Sequence, residues 1–533
     1  MRPVEALLAI LRDEGVDKIF GNPGTTELPL LDALAAAPDI EYVLAVQEMS
    51  AVAMADGYAR ATGRPAFVNL HVAAGLANGL IGMLNAKRSR IPLVVTAGQQ
   101  DRRHLVEDPM LSGDLVGLAA AASKHAVEVQ HAHDLPIVLR RAFALAAQPP
   151  AGPVFVSIPM DLLADGTDVT VPPASRLTPP GPATGIDEAA AILAGARRPA
   201  VVAGDGVGRE DAVAELVAVA ERLGAAVYPQ PMHDAVNFPG DHPLNAGMPA
   251  PRNAAVREAL DGHDVVFVVG SHAFSPHHYT PGSPIPDGTR VVQLDSDPAE
   301  PGRNFPVELG LVGGVRPSLA RLAAALDGRV SVPPQQVRRP RVERPRTGRG
   351  PIDPAAAAHA IADALPPDAV VVDEAITIGV LLRPLLRLPR PGGFVHTVGG
   401  GLGWGIGAAI GSRLGRPDRP VVAVLGDGCA MFGLQGLWSA ARYRVPVAFL
   451  VMNNGEYRTL KDTLAESGST GPHPGLDLTL ASGRLDWTNA AAFFGVRARR
   501  VDSAAELREV VAGAGRLDAP LLVDVPILDR GGG

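Results

Sequence analysis

Asp427 stands between two glycines directly after the apolar run Val421-Val422-Ala423-Val424-Leu425, and Asn453-Asn454 closes the next such run, Val447 to Met452. The 24 residues 429–452 between the motifs suffice for one helix and the second strand. A carboxylate from Asp427 and an amide oxygen from Asn454 would give Mg²⁺ two protein ligands, with positions left for phosphate oxygens and water. The glycines would let phosphate approach the backbone, and the following helix would offer N–H groups at its positive end. Taken singly, Gly-Asp-Gly and Asn-Asn-Gly are turn chemistry. Set after two strands and one helix apart, they point together to a metal–diphosphate site.

Other reactive side chains also stand where β-rich runs end. Ile40 to Val46 leads into Gln47-Glu48 and a helical stretch through Ala59. Pro65 to Leu70 ends at His71 before Ala73-Ala74-Gly75, and Ala369 to Val372 precedes Glu374. Val265 to Val269 is followed by Gly270-Ser271-His272 and then His277-His278, where metal binding is disfavoured by the lack of a third ligand at a recognisable spacing. In parallel sheets, chemistry gathers outside the carboxyl ends of strands.

The elements that must position these groups follow from periodicity. Short continuous apolar runs suit strands buried in parallel sheets, and the Ala/Leu-rich stretches between them suit crossover helices. Pro-rich stretches from about Ala164 to Ile186 and from Val330 to Ile352 interrupt the pattern as linkers. The expected fold is therefore α/β, with three doubly wound parallel-sheet domains at 1–165, 186–330 and 351–533. A length of 533 residues agrees with three or four domains, at about 150 residues each.

Composition narrows the function classes. With 47% hydrophobic and 20% charged residues the chain is of ordinary soluble type. A net charge of −8 and only 4% aromatics argue against a nucleic-acid partner. A lone cysteine, Cys429, rules out an internal disulfide framework and suits a reducing, cytoplasmic setting. The stretch from Met1 to Asp13 is amphipathic with acidic residues, unlike a signal peptide, and no apolar run is long enough for a membrane span. Gly204-Asp205-Gly206-Val207-Gly208 is a weak nucleotide-like signal that suits a strand-to-helix turn better. A dinucleotide fingerprint with its acidic partner is absent.

With these motifs in hand, the chain resembles thiamine-diphosphate enzymes, whose signature is Gly-Asp-Gly followed at this spacing by Asn-Asn. It resembles the benzoylformate decarboxylase family from end to end. The runs that carry this are Phe20-Gly21-Asn22-Pro23-Gly24-Thr25-Thr26-Glu27-Leu28-Pro29, Gln47-Glu48 with Ala55-Asp56-Gly57-Tyr58-Ala59, and Asn69-Leu70-His71-Val72-Ala73-Ala74-Gly75. Thr96-Ala97-Gly98-Gln99-Gln100 and Gly400-Gly401-Leu402-Gly403 continue them. The resemblance implies a pyrimidine-binding, a central and a diphosphate-binding domain, in that order. It also implies thiamine diphosphate and Mg²⁺ as cofactors, sites shared between subunits of a homodimer or homotetramer, and non-oxidative decarboxylation of a 2-oxo acid to an aldehyde and CO₂.

Residue by residue, the resemblance implies that Glu48 bonds N1′ of the aminopyrimidine and that His71 exchanges protons in the active site. A second histidine would be His277, which the register favours over His278. Thr25 takes a position usually held by a serine that meets the substrate carboxylate. Leu402 would prop the cofactor in its bent form, and the Gly400 carbonyl would accept from its amino group. Thr377, Gly428 and Cys429 align near the diphosphate, and the backbone oxygen of Glu456 would join Asp427 and Asn454 on Mg²⁺. Met110, Leu111 and Leu460 match apolar pocket positions. Thr459 and Thr463 replace a small apolar and an aromatic residue, Ile376 replaces a threonine, and Lys461 to Asp477 departs from the pattern as a different lid. The alternative is an acetolactate synthase-like carboligase, which joins two carbonyl compounds and often binds FAD in its middle domain.

Overall fold

The structure, a computed structural model, describes residues 1–528 apart from 273, 275, 277, 330–334, 338, 340–341, 346–347, 469–477 and 481–484. Its strands form three parallel sheets. The first contains β1 (Lys18–Gly21), β2 (Glu41–Leu44), β3 (Ala66–Leu70), β4 (Leu93–Gln99), β5 (His125–Glu128) and β6 (Val154–Pro159), in the order β2-β1-β3-β4-β6-β5. The second contains β7 (Pro199–Ala203), β8 (Ala226–Pro229), β9 (Val265–Val269), β10 (Arg290–Asp295) and β11 (Leu309–Val312), in the order β11-β10-β9-β7-β8. The third contains β12 (Val370–Glu374), β13 (Phe394–Val395), β14 (Val421–Gly426), β15 (Val447–Asn453), β16 (Arg497–Arg500) and β17 (Leu521–Pro526), in the order β13-β12-β14-β15-β17-β16. The expected α/β class with three parallel-sheet domains is what the chain adopts.

The first and third sheets repeat one topology. In each, strand order reverses between the first and third strands of the domain, at β1/β3 and at β12/β14. Such a reversal opens a crevice at the carboxyl ends. Phe20 pairs with Val68 across the first reversal and Val372 with Ala423 across the second. The residues beyond these strands are Asn22 and His71 in one sheet and Ala375 and Asp427 in the other.

Contact density divides the chain into two compact units, residues 1–177, 344–382 and 397–533 in one, and 178–343 with 383–396 in the other. In the second unit, the glycine run after β7 behaves as a strand-to-helix turn. Gly206 donates to the Gly270 carbonyl at 2.8 Å, and a Cβ on Gly204 would lie 2.4 Å from that same oxygen. The glycines therefore serve backbone-to-backbone packing between two strand ends.

In the first unit, helices α1 (Glu48–Thr62), α2 (Val72–Arg88), α3 (Ile376–Leu382), α4 (Trp404–Gly415), α5 (Asp427–Phe432) and α6 (Arg458–Glu466) carry or flank the candidate site residues. Gln47 caps the start of helix α1, its side chain accepting from the Ser50 amide at 2.9 Å, and the helix stops at Gly63 with φ +68°. It packs on α4 almost backbone to backbone. A Cβ on Gly57 would meet the Ala408 carbonyl oxygen at 2.1 Å, and one on Gly411 would meet the Met54 carbonyl oxygen at 1.8 Å. Gly57→Ala should therefore separate the two helices. A loss of about 1–3 kcal/mol is expected for such overpacking, seen as a lower midpoint of thermal unfolding, and an unchanged midpoint would refute the close contact.

Candidate active site

Three site residues of the first sheet are held by partners that periodicity does not reveal. His71 leaves β3 as the N-cap of α2, and its ring is partly exposed. Val72, next in the chain, has φ +45°, a conformation that a β-branched residue adopts only when its surroundings impose it. The His71 ring is clamped. Its Nδ1 lies 2.9 Å from Glu27 Oε2 and 3.1 Å from the Thr26 hydroxyl. Gly24 lies flat on its face, so that a Cβ there would sit 2.4 Å from three ring atoms.

Glu27 is only 1% exposed. It accepts hydrogen bonds from the Gly24 amide at 2.8 Å, the Thr26 hydroxyl at 2.7 Å and the Gly98 amide at 2.9 Å. With three donors on its oxygens, Glu27 acts as the acceptor of this cluster. A carboxylate beside Nδ1 requires that nitrogen to carry the hydrogen, which leaves Nε2 as the atom able to take up and deliver a proton. Sequence reasoning missed Glu27. It stands inside the run from Phe20 to Pro29, but its spacing from Gly24 marks it only as the closing residue of a capped turn.

Glu48 is the first residue of α1 and is buried. Asn22, just past β1, donates to its Oε1 at 3.0 Å, and Asn78 of α2 donates to its Oε2 at 3.1 Å. The position of a Cβ on Gly75 would lie 3.3 Å from Glu48 Oε1 and 3.6 Å from His71 Cβ. Glu48 and His71 thus flank one glycine at the first turn of α2. Thr25 is exposed on the short turn that carries Gly24 and Glu27. Met110 and Leu111 are exposed too, on a loop that reaches α2 where Gly113 approaches Ala73.

A second group forms at the carboxyl ends of β14 and β15. Asp427 opens α5, and its Oδ1 accepts from the Gly428 amide at 2.8 Å while Oδ2 accepts from the Gly455 amide at 2.6 Å. Burial pushes its carboxyl above the usual range, against the lowering effect of these amides. Asn454 Oδ1 accepts from the Glu456 amide at 3.1 Å. Asn453 turns the other way, donating to Asp524 at 2.9 Å, so the paired asparagines divide between site and scaffold. The Glu456 side chain pairs with Lys461 and, at 3.5 Å, with Arg458, pinning the start of α6. Cys429 is buried beside Gly426, and burial raises its thiol pKa. Gly428 faces the Tyr457 ring, and Thr377 is half-buried on α3.

Gly400 has φ +82° with open space where a side chain would stand, and Leu402 is half-buried. On α6, Thr459 is half-buried, and Leu460 and Thr463 are exposed. The Thr463 hydroxyl donates to the Thr459 carbonyl at 2.8 Å, so its hydrogen is engaged within the helix while its oxygen can still accept. Ile376 is exposed at the start of α3, and α3 and α6 are in contact. His277 lies outside the described residues, as does the lid stretch from residue 469 to 477; His278 is exposed. Among the described residues no helix is long and apolar enough to cross a membrane.

The comparisons with known proteins match segments of all three domains. The model for the N-terminal TPP binding domain of thiamine pyrophosphate enzymes covers residues 1–125, that for the central domain residues 186–322, and that for the C-terminal TPP binding domain residues 378–525. The chain belongs to the thiamine pyrophosphate (thiamine diphosphate) enzyme family.

It is 36% identical to benzoylformate decarboxylase from Pseudomonas aeruginosa over 523 residues, 97% of each chain. It is 31% identical to a putative acetolactate synthase large subunit from Mycobacterium tuberculosis over 545 residues, 99% of each. The solved structure of a thiamine diphosphate-dependent 4-hydroxybenzoylformate decarboxylase from Rhodococcus jostii RHA1 superposes with a TM-score of 0.91 at 32% identity, covering 100% of both chains. Within the family, then, this is a 2-oxo acid decarboxylase of the benzoylformate decarboxylase branch, and the acetolactate synthases are its weaker match.

His71→Ala should cut decarboxylation at least ~tenfold, within the ~10²–10⁴ that general acid–base help supplies, with cofactor affinity nearly intact. Glu27→Gln should reproduce most of that loss, because the amide no longer fixes Nδ1–H, and should alter the pH profile of kcat/KM. Wild-type rates in either variant would remove the pair from catalysis.

Proposed function

We propose that the protein decarboxylates a 2-oxo acid with an aryl or related substituent, releasing the aldehyde and CO₂. The observation that carries this reading is the Glu27–His71 pair beside Glu48, since a decarboxylase must return a proton to carbon before the aldehyde leaves. When bound, thiamine diphosphate supplies the nucleophilic carbon and the electron sink that the loss of CO₂ requires.

The residues present fit that group. Asp427, Asn454 and the Glu456 backbone carbonyl offer oxygen atoms alone, the donor type that Mg²⁺ prefers. Asp427 is buried with a raised carboxyl pKa, and a cation there would offset the cost of its charge. Gly428, Cys429 and Thr377 would line the diphosphate. Gly400 would take the amino hydrogen bond, Leu402 would hold the bend, and Glu48 would face N1′. His71 Nε2 would move the proton, with His277 as the second histidine and Thr25 meeting the substrate carboxylate.

Met110, Leu111, Thr459, Leu460 and Thr463 would enclose the substituent. A methyl group at Thr463, where an aromatic ring is expected, leaves more room at that wall and favours a bulkier or substituted ring. The site would be completed by a second copy of the chain, in the homodimer or homotetramer that the family resemblance implies. A single cysteine supports a cytoplasmic setting.

Protein stripped by chelator and dialysis should regain activity only with both thiamine diphosphate and Mg²⁺. The two together should also raise its thermal midpoint, since ligand at 100 times its Kd adds about 2.7 kcal/mol. Full activity with neither would refute the cofactor assignment. A panel of aryl, arylalkyl, aliphatic and acidic 2-oxo acids, with CO₂, aldehyde and acyloin all measured, should show aldehyde as main product and the highest kcat/KM for aryl members. Acyloin as the sole product, or a yellow protein with bound flavin, would favour the carboligase.

A further inference from the structure

The segment from Thr397 to Gly403 is laid along one face of α2. Ile81, Asn85 and Ser89 recur every four residues and so share that face. A Cβ on Gly401 would lie 2.4 Å from Ile81 Cγ2, and one on Gly399 would lie 2.3 Å from Asn85 Oδ1 and 2.5 Å from Asn85 Cα. The Val398 amide points at the Ser89 hydroxyl at 3.4 Å. Asn85, fully buried, makes the strongest contact. Its Nδ2 donates to the Gly401 carbonyl at 2.8 Å, and its Oδ1 accepts from the Gly401 amide at 2.9 Å. Both backbone groups of one residue are thus taken by one side chain.

The other end of the segment is fixed as well. Glu374, at the end of β12 and buried, accepts from the Trp404 amide at 3.0 Å and the Gly405 amide at 2.9 Å, the first donors of α4. Gly400 and Leu402 flank the residue that Asn85 holds, and Leu402 stands between the two anchors. A loop with three glycines in the four positions 399–402 has little conformational preference of its own, so its geometry has to come from such contacts.

We propose that Asn85 is a positioning residue of the active site: by gripping Gly401 through both backbone groups it sets where the Gly400 carbonyl and the Leu402 side chain meet the aminopyrimidine of the cofactor. This rests on the reading that Gly400 and Leu402 receive that ring. Asn85 touches neither cofactor nor substrate. Its amide replaces the water that would otherwise solvate Gly401, and the loop is pre-organised before the cofactor arrives.

The test uses the full-length apo protein and three variants, Asn85→Ala, Asn85→Asp and Leu402→Ala. Asn85→Asp keeps the acceptor for the Gly401 amide and sets an oxygen against the Gly401 carbonyl. Three quantities are measured: the Kd for thiamine diphosphate with Mg²⁺ present, by quenching of tryptophan fluorescence; kcat and KM at saturating cofactor; and hydrogen exchange of the 397–403 peptide in apo protein.

Asn85→Ala should raise the cofactor Kd about tenfold, the worth of a lost buried hydrogen-bond pair. It should also speed exchange of the 397–403 peptide and lower kcat more than it changes KM. Asn85→Asp should fall between wild type and Asn85→Ala. A Kd and kcat within about twofold of wild type in a folded Asn85→Ala would overturn the proposal. So would rapid exchange of the Gly401 amide in wild-type apo protein, a measurement that stands even where a variant does not fold. If Leu402→Ala weakens the cofactor while Asn85→Ala does not, the proposal fails and the reading of the loop stands. If Leu402→Ala changes neither Kd nor rate, that reading fails first and takes the proposal with it.

Discussion

The contact between α1 and α4 sets the geometry of the first compact unit. Glycine at 57 and at 411 brings two helix backbones to a separation that any side chain would prevent. The catalytic consequence lies at the helix starts. Helix α1 begins with Glu48, and α4 begins one residue after the Gly400–Gly403 loop. Locking the helices together therefore fixes the Glu48 carboxylate and the Gly400–Gly403 loop relative to each other. Helix α2 adds a second brace. It carries His71 at its first turn, Asn78 against Glu48 in its middle and Asn85 against Gly401 near its end. At 17 residues and about 1.5 Å rise per residue, it spans the distance between groups that the chain order keeps far apart.

Electrostatics at the site follows from burial. Glu27, Glu48, Glu374 and Asp427 are all withdrawn from water, and an isolated carboxylate in such a place would be neutral. Each meets N–H donors, but the balance differs. Backbone amides do not fully offset the desolvation of Glu374, whose carboxyl is pushed up to about 8. Asp427 is raised by the same cause. Glu27 has three donors and an imidazole, and Glu48 two side-chain amides. The chain thus uses buried carboxylates in three ways: to orient a histidine, to anchor a helix start, and to offer a site where a cation would lower the cost of charge.

Much of this was legible in the sequence because strands and strand ends have local signatures. The runs Pro199–Ala203 and Val265–Val269 are strands over those residues, and Val421–Leu425 and Val447–Met452 each extend by one. The run from Ile40 to Val46 was less exact; β2 covers only Glu41–Leu44, since its register with Lys18–Gly21 has four partners. Asp427, Asn454 and His71 stand directly beyond strand ends, and Glu48 follows β2 after three residues, where the fold class places chemistry. Glu27 and Asn85 were illegible for a common reason. Their partners are 44 and 316 residues away, and neither alternation nor turn chemistry encodes a contact of that range. In isolation Glu27 reads as a turn cap and Asn85 as a polar residue near a helix end.

The substrate wall shows the same limit from the other side. Thr463 was legible as a residue type, and a hydroxyl in a pocket suggests recognition of a polar substituent. Its place on a helix decides otherwise. A threonine whose hydroxyl can reach the carbonyl four residues back will satisfy itself there, and Thr463 does so with Thr459. What the side chain still offers its surroundings is a methyl and an acceptor oxygen, but no donor. Were Thr463 to line the substrate pocket, selectivity there would be mainly a matter of volume, which discriminates weakly, by about 1–3 kcal/mol per methylene, where a buried unpaired donor would discriminate far more strongly. A pocket bounded in this way would accept a range of ring substituents, and the fixed demands would fall on the 2-oxo acid end, where His71 and the Glu27 behind it are held to within hydrogen-bond distance.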